Sequence, residues 1–171
     1  MKEDFVLVSG IIEESVVDGP GYRFTVFTQG CPHSCPGCHN PQTHSLDGGT
    51  LVNINQLFTS FQKNPLLRGI TLSGGEPFIQ AEVASKLAKM AHGLGKDVVT
   101  YTGYVYEYLV AGASKENGWQ KLLDETDYLI DGPFLIKQKS LTLKFRGSKN
   151  QRIIDMKATR LAGRVVTVEN F

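Results

Sequence analysis

The sequence predicts an α/β fold of parallel β/α units, arranged as an open, partial (β/α)6-like barrel. Two observations carry that expectation. Strand-like and helix-like segments alternate between residues 24 and 134, as they do where parallel strands are joined by crossover helices. The chain has 171 residues, whereas a closed (β/α)8 barrel needs about 250, so a barrel of this length is shortened and open. A hydrophobic content of 41%, with no internal repeat or low-complexity tract, fits one domain over residues 1–171 with a core of its own.

The elements follow in order. Residues 5–12 read as an added edge strand. Residues 24–28, Phe-Thr-Val-Phe-Thr, alternate as a strand does, and Gln29-Gly30 ends it. The loop that follows carries Cys31, Cys35 and Cys38, kept irregular by Pro32, Pro36, Gly37 and Pro41. A helix is expected near residues 53–63. A short apolar strand at 69–72 then runs directly into Ser73-Gly74-Gly75-Glu76-Pro77. The next helix places Ile79, Val83, Leu87, Met90 and Ala91 on one face. Strands containing Val98-Val99 and Tyr128-Leu129-Ile130 leave Thr102 and Asp131 at strand ends, on the face shared with the cysteine loop. After residue 135 the pattern weakens: residues 141–145, 151–156 and 164–169 read either as short strands or as an extended tail.

Net charge is +1, from 18 Lys and Arg against 17 Asp and Glu, which points to no nucleic-acid partner. The charges are unevenly spread. Residues 137–164 hold nine basic side chains against Asp155 alone. A basic C-terminal extension, residues 137–171, is therefore either a partner-docking surface or a solvated face. The start, MKEDFVLVSG, lacks the basic head and long apolar stretch of a signal peptide. No apolar run reaches the roughly 18 residues of a membrane span, so a cytoplasmic protein without a membrane partner is expected.

The 3 cysteines all fall between residues 31 and 38, spaced C-x3-C-x2-C. Such clustering argues against a disulfide framework and for metal ligands or a redox pair. A structural zinc site needs a fourth ligand, for which His33, His39 and His44 are near enough. Three thiolates without a fourth also suit a [4Fe-4S] cluster whose remaining iron stays open for substrate. Ser-Gly-Gly-Glu-Pro at a strand end is informative for a separate reason. Two glycines let the backbone approach a ligand closely, and a carboxylate accepts from an ammonium. Phosphate-loop and dinucleotide fingerprints are missing: Gly93-Leu-Gly95-Lys96 and Gly19-Pro20-Gly21 have neither spacing.

Taken together, Gly19-Pro-Gly21-Tyr-Arg23, Cys31-Pro-His-Ser-Cys35-Pro-Gly-Cys38-His-Asn40 and Ser73-Gly-Gly-Glu-Pro77 resemble the radical S-adenosylmethionine (SAM) enzymes. The narrower resemblance is to the activating proteins of anaerobic ribonucleoside-triphosphate reductase, which are glycyl-radical-enzyme activases. It is supported by Thr100-Tyr-Thr-Gly-Tyr104, Leu129-Ile-Asp-Gly-Pro-Phe134 and above all Arg146-Gly-Ser-Lys-Asn-Gln151. Gly37 stands where most of the superfamily has an aromatic residue before the third cysteine. Pro-Gly-Cys-(His or Tyr)-Asn is the form of the reductase activases.

The resemblance implies a radical SAM oxidoreductase with one [4Fe-4S] cluster and SAM as cofactors. Cys31, Cys35 and Cys38 would each ligate an iron, and the amino and carboxylate groups of SAM would chelate the fourth. Gly74, Gly75 and Glu76 would take the SAM ammonium, while Gly37 and His39 would meet the adenosyl part. Thr102 and Asp131 would line the SAM pocket or help hold a small cation. No catalytic group beyond cluster and SAM is implied. The implied partners are the anaerobic reductase as protein substrate and an electron donor such as flavodoxin or ferredoxin. The alternatives are an activase of the pyruvate formate-lyase type, a small-molecule radical SAM enzyme, or a non-enzymatic Cys3His zinc module. Arg23 is expected to contact SAM or the partner, or to form a surface salt bridge. His33, His44 and His92 read as ordinary loop or surface residues, and Tyr101, Tyr104, Tyr106 and Tyr108 as core and rim.

Overall fold

The computed structural model describes residues 2–169 and Phe171. Its elements are β1 (Phe5–Ser15), β2 (Arg23–Thr28), β3 (Thr50–Asn53), α1 (Ile54–Gln62), β4 (Gly69–Gly74), α2 (Ala81–His92), β5 (Asp97–Tyr101), α3 (Tyr106–Gly112), α4 (Trp119–Asp124), β6 (Tyr128–Asp131), β7 (Arg152–Asp155) and α5 (Met156–Ala162). The strands form one sheet in the order β3-β1-β2-β4-β5-β6-β7. The α/β class holds and the sheet is open, with β3 and β7 at its edges.

The expected count of about six parallel strands does not hold. Only β2, β4, β5 and β6 run parallel. β1 is antiparallel to both β2 and β3, and β7 is antiparallel to β6. For β1 and β2 the reason is connection length. A parallel return needs a crossover of a dozen or more residues, and only residues 16–22 separate β1 from β2. β1 is also not an edge strand, since Phe5 to Val8 pair with Asn53 to Thr50 on its outer side.

The C-terminal segment is part of the fold. Of the three stretches read as strand or tail, 151–156 contains β7 and 141–145 lies in turns and bends. Within 164–169, Thr167 bridges to Ile154, while Asp155 N donates to Val166 O and Val168 N to Ile153 O. These bonds hold the chain end along β7, and Val168 and Phe171 pack on the sheet with Val99, Ile130 and Ile153. The opposite face carries the larger core: Phe24, Val26, Ile70, Leu72, Val98 and Leu129 meet α1, α2 and α4 through Leu57, Leu87 and Leu122. Burying each such side chain contributes about 1.5–3 kcal/mol. Asn53 and Asp155 cap α1 and α5 by accepting from Asn55 N and Ala158 N.

Arg23 is a correction. Its side chain is fully buried at the N-terminal ends of the parallel strands, away from the strand ends that carry the cysteine loop. It ion-pairs with Asp97 and donates to Thr71 Oγ1 (3.0 Å) and Ile70 O (2.6 Å). Among the described residues no helix is long and apolar enough to cross a membrane.

Candidate functional site

Parallel register brings four strand ends together. Thr28 of β2 lies opposite Gly74 of β4, Leu72 opposite Thr100 of β5, and Tyr101 opposite Ile130 of β6. The cysteine loop leaves the first of these ends and Ser-Gly-Gly-Glu the second. The two are pressed together: Gly75 N donates to Thr28 O and Glu76 N to Gly30 O, each at 2.8 Å. A Cβ on Gly75 would stand 2.2 Å from Gly30 O, and one on Gly74 (φ +93°) 2.5 Å from Thr28 N. No other residue type fits at either position without moving β2 or the start of the cysteine loop.

The loop is closed by its own return. Gly30 N donates to Thr43 O (2.7 Å) and Cys31 N to His44 O (3.3 Å). Buried Gln29 donates through Nε2 to Gln42 O (3.1 Å) and Ser45 O (2.6 Å), on either side of residues 43–44. Inside it, Cys38 N donates to Cys35 O (3.1 Å), and Asn40 N approaches Cys38 Sγ at 3.4 Å. All three cysteines are free thiols and half-buried. Burial pushes the Cys31 thiol up; the His33 and Ser34 amides oppose it and the Glu76 carboxylate adds to it.

Glu76 is fully buried, and its carboxylate is taken by groups of its own chain. Oε2 accepts from His33 Nε2 (2.6 Å), Gly103 N (2.9 Å) and Thr102 Oγ1 (3.0 Å), while Oε1 accepts from Phe78 N (3.1 Å). His33 is an ordinary loop residue only by sequence. Its ring sits edge-on to Tyr104 at 4.4 Å, and a Cβ on Gly103 would fall 2.4 Å from it. The carboxylate thus ties the cysteine loop to the ends of β4 and β5.

A cleft of about 130 Å³ is lined by Cys31, Cys35 and Cys38 with Gly74, Gly75 and Thr102. It shares His39, Asn40, Ser73, Tyr101, Phe134 and Gln151 with a larger cavity of about 480 Å³, so the two are continuous. The outer cavity is walled by Phe145, Arg146 and Gly147. A third cavity, about 550 Å³, lies between Phe5, Phe78 and Trp119 and holds none of these groups.

Of the residues singled out by sequence, the cleft gathers the three cysteines, His33, His39, His44, Gly74, Gly75 and Thr102. Gly37 (φ +73°) is exposed on the loop and packs against Ile136. Neither Glu76 nor Asp131 lines the cleft. Asp131 is buried behind Gly132, accepting from Arg152 Nε (3.0 Å), Arg152 Nη2 (2.5 Å) and Tyr106 N (2.8 Å). Phe134, which sequence reasoning passed over, lies 5.0 Å from His39 ring to ring, with Gly147 against both.

The donor set fits an iron–sulfur cluster. Three thiols of one short loop face one cleft with the glycine pair, and the chain has no fourth cysteine. Among the described residues no three His, Cys, Asp or Glu side chains are drawn together around a single ion.

The comparisons agree with that chemistry. The 4Fe-4S single cluster domain model matches residues 17–154. The chain is 35% identical over 150 residues to the anaerobic ribonucleoside-triphosphate reductase-activating protein of Salmonella typhimurium, covering 80% of this chain and 90% of that one. It is 32% identical over 145 residues to the protein of the same name from Enterobacteria phage T4, covering 80% and 86%. QueE from Escherichia coli overlaps 58% of this chain and 53% of its own at 16% identity and TM-score 0.43, too remote to carry an argument. Through its cysteine loop, its cluster domain and these relatives, the chain belongs to the family of the anaerobic ribonucleoside-triphosphate reductase-activating proteins.

Proposed function

We propose that the protein is a radical SAM activase that generates a glycyl radical on an anaerobic ribonucleoside-triphosphate reductase. The observation that carries this reading is the continuity of a small thiol-lined cleft with a larger cavity at the same strand ends. The first suits cluster and SAM, and the second suits an incoming peptide loop.

Cys31, Cys35 and Cys38 would hold three irons of the [4Fe-4S] cluster. Bound and reduced, cluster and SAM would supply one-electron reductive cleavage of SAM and, through it, the removal of a hydrogen atom from the target glycine. Gly74 and Gly75 would bring their backbone against the SAM ammonium, where a side chain would already collide with β2 and Gly30. Glu76 serves that contact indirectly. Its carboxylate is spent on His33, Thr102, Gly103 and Phe78, and it holds the glycines and cysteine loop in register. The His39–Phe134 pair borders both cavities and supplies apolar cover for the adenine. Asp131 acts as the anchor of Arg152 and the amide of Tyr106.

Docking of the reductase falls to the loop after β6. Lys137, Lys139, Lys144 and Lys149 are exposed there beside Ile136 and Leu141, the latter 90% accessible. Arg146 and Arg152 turn inward instead, to Gln151 O and Asp131. Mixing the reduced, cluster-loaded protein and SAM with the reductase, then recording an electron paramagnetic resonance (EPR) spectrum, tests the assignment. A doublet from a glycyl radical on the reductase is expected. A silent spectrum from components that cleave SAM would overturn this target.

A further inference from the structure

One buried polar atom in the thiol-lined cleft has no partner. His44 lines the cleft beside Cys31, Cys35 and Cys38, and its Nε2 is shielded from solvent without a hydrogen bond. A buried ring nitrogen left unpaired is costly, so such an atom marks a contact made with something else. The placement of the ring is closely determined. His44 closes the 3-10 turn Pro41–Thr43, its N donating to Pro41 O (3.3 Å). Its own carbonyl accepts from Cys31 N, and Gln29 clamps the carbonyls of Gln42 and Ser45 around it. Buried Thr43 adds an Oγ1 bond to Asn40 O at 2.7 Å. Ring and first cysteine are therefore parts of one braced unit.

We propose that His44 donates its Nε2–H to a sulfur of the cluster held by Cys31, Cys35 and Cys38, and so raises the reduction potential of that cluster. The inference rests on the cluster reading above. The cleft offers sulfur where Nε2 lacks a nitrogen or oxygen partner, and a thiolate or sulfide is an acceptor only, which selects the Nε2–H tautomer. A hydrogen bond to cluster sulfur favours the reduced form, because reduction adds negative charge to the acceptor. The backbone makes a weaker version of this contact already, from Asn40 N to Cys38 Sγ. The other acceptors that the site would bring belong to SAM: its carboxylate, its ribose oxygens and its adenine nitrogens. The SAM ammonium is a donor and cannot pair with an N–H.

The test is an EPR-monitored redox titration, without SAM, of anaerobically reconstituted wild type, His44→Leu and His44→Gln at matched iron and sulfide content. His44→Leu should lower the midpoint so that, at a fixed potential, the reduced-to-oxidised ratio falls about tenfold, or about 59 mV for a one-electron couple. His44→Gln, whose amide N–H reaches the same place, should recover most of that shift. If Leu prevents loading, His44→Phe takes its place as the donor-free variant. A loaded donor-free variant with the wild-type midpoint overturns the role of His44, as does a shift that Gln fails to recover. A difference that emerges only after SAM is added overturns it in favour of an acceptor on SAM. Wild-type protein that takes up no iron overturns the cluster reading itself, which separates the two failures.

Discussion

Replacing Glu76 separates the charge of the buried carboxylate from its shape. Three donors converge on Oε2, from His33, Thr102 and Gly103, and one on Oε1, from Phe78 N. In Glu76→Gln the amide NH2 takes one of these oxygen positions. If it faces the first group, the Thr102 hydroxyl turns to accept, and His33 accepts with its proton moved to Nδ1. Gly103 N–H has no such freedom and is left opposed to a donor, at a cost of about 1–3 kcal/mol. Flipping the amide only transfers the conflict to Phe78 N. Glu76→Ala loses all four bonds and leaves a void, roughly 4–6 kcal/mol. That is a large part of a total stability of about 5–15 kcal/mol. Urea unfolding followed by circular dichroism measures both losses. Equal losses for Gln and Ala, or a Gln variant within about 0.5 kcal/mol of wild type, would refute the hydrogen-bond account.

Further outcomes follow from the same geometry. Gly75→Ala drives a Cβ into Gly30 O and should cost about 1–3 kcal/mol by overpacking while abolishing SAM cleavage; unchanged cleavage would contradict the close approach. Arg152→Met strands the buried Asp131 carboxylate and should cost about 3–5 kcal/mol, whereas Glu107→Gln, which removes only the second, exposed carboxylate that Arg152 pairs with, should cost under about 1 kcal/mol; the two losses are compared by denaturant unfolding. His92 bridges Glu125 and Asp127 at 2.8 Å each. Burial alone would lower its pKa, but the two carboxylates outweigh burial and hold it above its ordinary value. Its contribution is then complete below the unfolded pKa of about 6.5 and is lost as pH rises through the folded one. The stability deficit of His92→Gln should accordingly be larger at pH 6 than at pH 9, and a deficit independent of pH would contradict the bridge.

How much of this was legible in the sequence depended on the range of the interactions. The cysteine spacing and Ser73–Pro77 are local, and each reads directly as a loop at a strand end. Helix α1 lies within the expected residues 53–63, and what holds it, the Asn53 cap and the buried Ile54, Leu57 and Phe61, is contained in that short segment. The sheet edges were not legible. The pairing of β1 with β3 joins residues more than 40 positions apart, and alternation within a strand does not reveal the direction of its neighbour. Arg23 and His33 were misjudged for the same reason. Their partners, Asp97 and Glu76, lie 74 and 43 residues away. Glu76 is expected from sequence to meet the SAM ammonium, whereas in the fold its carboxylate organises the strand ends and does not line the cleft. His44 stands out in the sequence only by its nearness to the cysteines, together with His33 and His39; the fold alone reveals that its Nε2 is buried beside three thiols without a partner.

The central claim is that Cys31, Cys35 and Cys38 hold an iron–sulfur cluster that acts on SAM. The most direct measurement is anaerobic reconstitution followed by iron analysis and quantification of 5′-deoxyadenosine after reduction in the presence of SAM. The account predicts about four irons per chain and reductant-dependent formation of 5′-deoxyadenosine, both lost when any one of the three cysteines is changed to serine. One zinc per chain with no 5′-deoxyadenosine would contradict it.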